Sequence, residues 1–173
     1  MVKAISSERT RRGYALLLAI IGVALLTVML TMAIPLWQTE IKRDMEEEIF
    51  FRARQYVNAI EAFQKKHAAY PRSLNELYEE KLLRKLYSEP LSPSGRWDLV
   101  LQVLPEGGEG YMVVPEEAAG RYLPTSIIVG VCPTTDDVAF RIYRKKKRYN
   151  EWAFYVGDSP NEEMPEIRFV GRE

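Results

Sequence analysis

A polar, basic segment, MVKAISSERTRRG, opens the chain, and the stretch from Tyr14 to Trp37 then carries no charged side chain. At about 1.5 Å per residue, a helix over that stretch crosses the roughly 30 Å hydrocarbon core of a bilayer. Lys3, Arg9, Arg11 and Arg12 lie on its N-terminal flank. Cations there predict a cytoplasmic N-terminus, with everything after Trp37 on the opposite face. The rival reading is a cleaved secretory signal, whose apolar core usually ends after about 7 to 15 residues at a small-residue site. Here the run is longer and closes on Pro35-Leu36-Trp37-Gln38. The pattern therefore predicts a retained membrane helix over 14–37.

Beyond Trp37 the composition turns polar while a helical period persists. Ile41, Met45, Ile49, Tyr56, Ile60, Phe63 and His67 recur at steps of three, four or seven and form one apolar stripe. Glu40, Lys42, Arg43, Asp44, Glu46, Glu47, Glu48, Arg52 and Arg54 fall between them and are assigned to solvated faces. No glycine or proline interrupts from Leu36 to Tyr70, and Pro71 predicts the end of the helix near Ala69. Pro35 is the one interior breaker, so a kink or local melt is expected where the apolar and amphipathic halves (14–37 and 38–69) meet.

An amphipathic stripe has to be covered by something, and residues 70–173 supply the cover. Ser73-Leu74-Asn75-Glu76 reads as a capping box opening a short helix through about Arg84. Alternating or β-branched runs follow at 96–104, 110–114, 126–132, 138–143 and 149–156, with a shorter one at 166–170. Consecutive strands without intervening helices imply an antiparallel meander. The expected fold class is α+β: a long N-terminal membrane-spanning and amphipathic helix packed on a C-terminal antiparallel β-meander.

Composition narrows the chemistry. Formal net charge over the 173 residues is +0, so there is no global pull toward nucleic acid. Cys132 is the single cysteine, which excludes an intramolecular disulfide, and it reads as a small buried residue in a strand. His67 is the single histidine, and no zinc, phosphate-loop or nucleophile-elbow motif is present; no enzymatic activity is expected. Glu106-Gly107-Gly108-Glu109-Gly110 reads as a hairpin turn. Arg144-Lys145-Lys146-Lys147-Arg148 reads as a solvated hairpin tip, against an electrostatic contact with nucleic acid in which Tyr143 and Tyr149 would stack on bases. Trp152 and Phe154 share one face and are expected in the core. Asp158, Asn161, Glu162 and Glu163 offer oxygen donors of the kind that suits Ca²⁺, without a recognised ligand spacing, and otherwise read as a surface turn; no cofactor is expected.

Four features together resemble the type IV pilin-like family, and most of all its type II secretion pseudopilins. The basic leader 1–13 ends in Arg11-Arg12-Gly13, as prepilin leaders end in glycine. Tyr14 is an aromatic where the family carries its N-methylated phenylalanine. Pro35 falls where many members have a proline, and Tyr70-Pro71-Arg72-Ser73-Leu74-Asn75-Glu76-Leu77 is similar to the tyrosine-proline stretch after the long helix. Leu18 departs from the pattern, standing where the family usually has a glutamate that neutralises a neighbouring subunit's terminal amine. Minor subunits at a filament tip can lack that glutamate.

The resemblance implies cleavage after Gly13 by prepilin peptidase, methylation of Tyr14, and a pilin-like head in the periplasm of a bacterium. Its implied partners are other pilins or pseudopilins, an inner-membrane assembly platform and a cytoplasmic assembly ATPase. The implied function is structural, in a pseudopilus that supports protein export. A minor type IV pilin for adhesion, motility or DNA uptake, and a non-polymerising single-pass anchored binding domain, stay open as alternatives.

Overall fold

The structure, a computed structural model, describes the backbone at 4–103, 110–158 and 165–171, and the side chains there outside 4–13 and 32–39. The chain divides into two compact units, Met1–Lys42 and Arg43–Glu173. The architecture is α+β, with an N-terminal apolar helix and a C-terminal sheet that is mostly antiparallel.

Helix α1 spans Ala4–His67. Its backbone remains helical through Pro35, so the expected local melt is not found. The helix stops two residues short of Ala69: Ala68 turns to φ 52 and donates its N–H to the Gln64 carbonyl at 2.8 Å. That is a left-handed cap, which satisfies a terminal carbonyl before Pro71 forbids further helix.

The buried stripe of the second unit differs from the expected one. Ile49, Ala53, Tyr56, Ala59, Ile60 and Phe63 are buried, as is Glu46, whereas Ile41 is 51 % and Met45 37 % exposed. The steps from Glu46 through Ile49, Ala53, Tyr56, Ile60 and Phe63 alternate three and four, which keeps one helical face toward the sheet. Glu46, assigned from sequence to a solvated face, sits on that inward face and is fully buried. His67, placed on the stripe, is instead exposed at the helix end.

Ser73 caps α2 (Leu74–Glu79), its Oγ accepting from the Glu76 N–H at 3.3 Å while the Glu76 carboxylate accepts from the Arg72 N–H at 2.8 Å. The helix does not reach Arg84. Lys81 adopts φ 58, and the N–H groups of Leu82 and Leu83 both turn back to the Leu77 carbonyl, which tucks Leu83 into the core.

Seven strands follow: β1 (Trp97–Val103), β2 (Gly110–Pro115), β3 (Ser126–Pro133), β4 (Val138–Tyr143), β5 (Lys146–Arg148), β6 (Phe154–Tyr155) and β7 (Ile167–Phe169). They do not form a meander. The main sheet has the order β6-β3-β1-β2-β7, and β4 and β5 make a separate two-stranded hairpin. β1 is central, paired antiparallel with β2 and β3, while β7 pairs parallel with β2. The connection from β2 to β3 contains a 3-10 helix (Glu116–Arg121), which carries the chain across to the far side of β1. The expected strand at 149–156 is a 3-10 turn (Tyr149–Glu151) followed by the two residues of β6.

Both faces of the sheet are apolar. Trp97, Leu99, Leu101, Val114, Ile128, Val131 and Phe154 join the α1 stripe in the larger core, with Trp152 and Tyr149. Val100, Val113, Val129, Cys132 and Tyr155 form a smaller cluster on the other face. The period-2 alternation along β1 sorts its residues between the two.

Candidate functional site

The helix residues Tyr14–Thr31 are long and apolar enough to cross a membrane, and none of that window is buried. Helices of signal sequences meet the same length and composition test. Tyr14 is 67 % and Leu18 56 % exposed. The two threonine hydroxyls in the window turn back onto the helix: Thr27 Oγ1 donates to the Val23 carbonyl at 2.8 Å, and Thr31 Oγ1 to the Val28 carbonyl at 2.8 Å. Such back-bonding removes the penalty that a free hydroxyl would carry in hydrocarbon. The surface is therefore suited to lipid or to other apolar helices. Gly22 leaves open space where a side chain would be. Gly13 and Pro35 lie within α1 by backbone, and their surroundings lie outside the described residues.

In the second unit, polar chemistry concentrates where α1 meets the β4–β5 hairpin. The Glu46 carboxylate accepts from the Phe140 N–H at 2.6 Å, the Arg141 N–H at 3.3 Å and the Tyr149 hydroxyl at 2.8 Å. A buried carboxylate needs such donors, and here it fastens the hairpin and the following 3-10 turn to the helix. Burial, then the bond to Glu46, raises the Tyr149 phenol above its ordinary 10.0.

The hairpin turn consists of Arg144 and Lys145, at φ 48 and 66. Two positive φ angles match the twist of a tight two-residue hairpin. Arg144 is not a solvated tip residue: its side chain is 8 % exposed, and Nη2 lies 2.5 Å from Asp158 Oδ1. Tyr143 donates to Asp158 Oδ2 at 2.7 Å and packs its ring against Phe50, Trp152 and Phe154. Neither Tyr143 nor Tyr149 is presented for base stacking. Asp158 belongs to this ion pair, and the other proposed calcium donors, Asn161, Glu162 and Glu163, lie outside the described residues. Among the described residues no group of three or more His, Cys, Asp or Glu side chains could hold a metal ion.

An open groove of about 610 Å³ runs between α1 and the hairpin end, lined by Phe50, Arg54, Asn58, Tyr155, Gly157 and Asp158 among others. A second buried carboxylate, Glu89, accepts from the N–H and hydroxyl of both Thr134 and Thr135, at 2.6 to 3.3 Å, and ties the loop before β1 to the end of β3. Cys132 is buried in β3, with Sγ 3.2 Å from the Asn150 carbonyl. His67 pairs with Glu80 at 3.3 Å, and the hydrogen bond from Lys66 holds the Glu80 carboxyl below its usual range. The glycine cluster at 106–109 lies outside the described residues, and β1 and β2 pair on either side of it.

Glu46, Arg144 and Glu89 are the interactions that sequence reasoning missed. For Glu46 the signal was present, since stepping back by three from Ile49 lands on it. Comparison with protein-family models, curated proteins and solved structures returns no match.

Proposed function

We propose that the chain is a pilin-like structural subunit, of the type II secretion pseudopilin kind. It enters the inner membrane with its N-terminus in the cytoplasm, is cleaved after Gly13, is methylated on Tyr14, and joins a pseudopilus with related subunits. One observation carries this reading: a single helix, Ala4–His67, supplies both an unburied apolar span and the stripe that packs into the head's larger core. A surface of that kind serves two states, solvated by lipid before assembly and packed on equivalent helices afterwards.

Leu18 favours a second reading, an anchored domain that does not polymerise, because it cannot neutralise a neighbour's amine. N-terminal mass spectrometry separates the two. The first reading expects a chain starting at N-methylated Tyr14, and a full-length membrane precursor when Gly13 is replaced. An intact Met1 on a monomeric extracted protein, in cells that possess the processing peptidase, establishes the second. Leu18→Glu is expected to increase incorporation into filaments under the first reading and to change nothing under the second.

A further inference from the structure

The outer face of the β4–β5 hairpin carries large apolar side chains that are more than half exposed. Val138, Phe140 and Ile142 are 59 %, 52 % and 64 % exposed, and their spacing of two puts all three on one face of β4. Inward-facing positions on the same strand, Ala139 and Tyr143, pack on the main core. The stripe continues onto the helix, where Phe51, 51 % exposed, and Ile142 line one shallow depression with Arg54 and Arg141. A contiguous apolar surface of this sort marks a binding face.

Its rim is cationic. The Arg43 guanidinium sits 4.8 Å over the Phe140 ring. Lys147 neighbours Lys146, which pairs with Tyr143, so strand alternation turns Lys147 to the Ile142 side. Among the described residues no ion pair is formed by Arg43, Arg54 or Lys147. The carboxylate of Glu47 on the same stretch of helix is neutralised by Arg141 at 2.7 Å, and the acidic groups closest in the chain are Glu40 and Asp44 on the helix and Asp137 before Val138. Apolar side chains ringed by unpaired cations complement an interface of acyl chains beneath anionic headgroups.

We propose that this hairpin face, Val138, Phe140 and Ile142 with Arg43, Arg54 and Lys147, rests on an anionic lipid surface. The inference depends on the membrane-anchor part of the reading above. The chain between Thr31 and Glu46 spans at most ~50 Å even when fully extended. Since Glu46 holds the Phe140 N–H, an inserted span keeps the hairpin within that reach of the bilayer at high effective concentration. Modest affinity is then sufficient. The Glu46 and Tyr149 contacts tie this strand to the helix.

The test uses the full chain reconstituted into vesicles of mixed phosphatidylglycerol and phosphatidylcholine, in a Cys132→Ala background. An environment-sensitive fluorophore is placed at Ile142→Cys and, in separate proteins, at Tyr78→Cys on exposed α2 and at Val23→Cys in the span. The expected result is that the label at 142 is blue-shifted and quenched by lipids bearing a shallow nitroxide, while that at 78 is not. In vesicles of pure phosphatidylcholine the quenching at 142 is weaker. Val138→Ser with Phe140→Ser, both at exposed positions, lowers the ratio of bound to free hairpin ~10-fold or more.

Three outcomes overturn the proposal. They are a label at 142 no more quenched than that at 78, equal quenching in the two lipid compositions, and a blue shift that follows protein density but ignores the nitroxide lipid. The last assigns the face to a second protein molecule. Failure of the label at 23 to be quenched by a deep nitroxide overturns the anchor itself and is seen separately.

Discussion

Gly130 shows how a single residue sets the sheet. Between Val100 and Leu101 the β1–β3 register shifts, leaving Val129 as an extra residue opposite them. This bulge turns the Val129 carbonyl toward β6, where it accepts from the Val156 N–H at 2.8 Å. A Cβ on Gly130 would fall inside contact distance of the Phe154 carbonyl oxygen and close to the backbone of Tyr155. Because the obstacle is backbone, Gly130→Ala is expected to destabilise the head by about 3 kcal/mol or more, read as a fall in the urea midpoint with loss of amide protection at Val156. Ala68 presents the opposite case. It is an exposed alanine at φ 52, so Ala68→Gly is expected to stabilise by roughly 1 kcal/mol. Gly130 is legible in part, since glycine within a strand pattern signals a bulge or a close approach without naming the partner strand, whereas alanine carries no mark of left-handed backbone.

At the scale of elements, the apolar helix, the capping box and the core strands were readable because their periods are local. Ser73 to Glu76 and the alternation along β1 are set by neighbours in the chain. Pairing order was not readable, since it depends on which edges are free once the 3-10 helix at 116–121 carries β3 past β1. The same holds for the polar fastening. Composition placed Glu46 in water, while its position on the three-four stripe places it in the core beside donors 94 and 103 residues away in the chain. Glu46→Ala is expected to cost about 3 kcal/mol, because it strands two backbone N–H groups and the Tyr149 hydroxyl without acceptors. Glu46→Gln keeps one acceptor oxygen and is expected to cost about half that. Hydrogen exchange checks the assignment: the amide of Phe140 should lose protection in the alanine variant while Val100, in the central strand, retains more.

The whole head carries a dependence on alkaline pH. Tyr56, donating to the Tyr87 carbonyl at 2.8 Å, is pushed by burial from 10.0 up to about 12. Tyr143, Tyr149 and Tyr155 are raised as well, each chiefly by burial and further by a neighbouring carboxylate. Below pH 10 these phenols hold their protons in folded and unfolded chains alike, and their contribution is complete. Above pH 10 the unfolded chain releases protons that the folded chain retains, so stability falls through pH 10 to about 12 as Tyr56 reaches its folded value. Urea titrations at stepped pH should show the midpoint declining across that interval, with the share of tyrosinate absorbance that belongs to these four phenols appearing together with unfolding.

The parallel pairing of β7 with β2 has a consequence for biogenesis. β2 is made early, and its outer hydrogen-bonding rim stays bare until residues 167–169 arrive. A head that crosses a membrane in the order of its synthesis, behind an anchored helix, would expose that rim on the way, open to pairing with any extended segment nearby. Truncations that remove Ile167–Phe169 should accordingly give oligomers joined edge to edge, and fusions after Phe169 should leave the head monomeric.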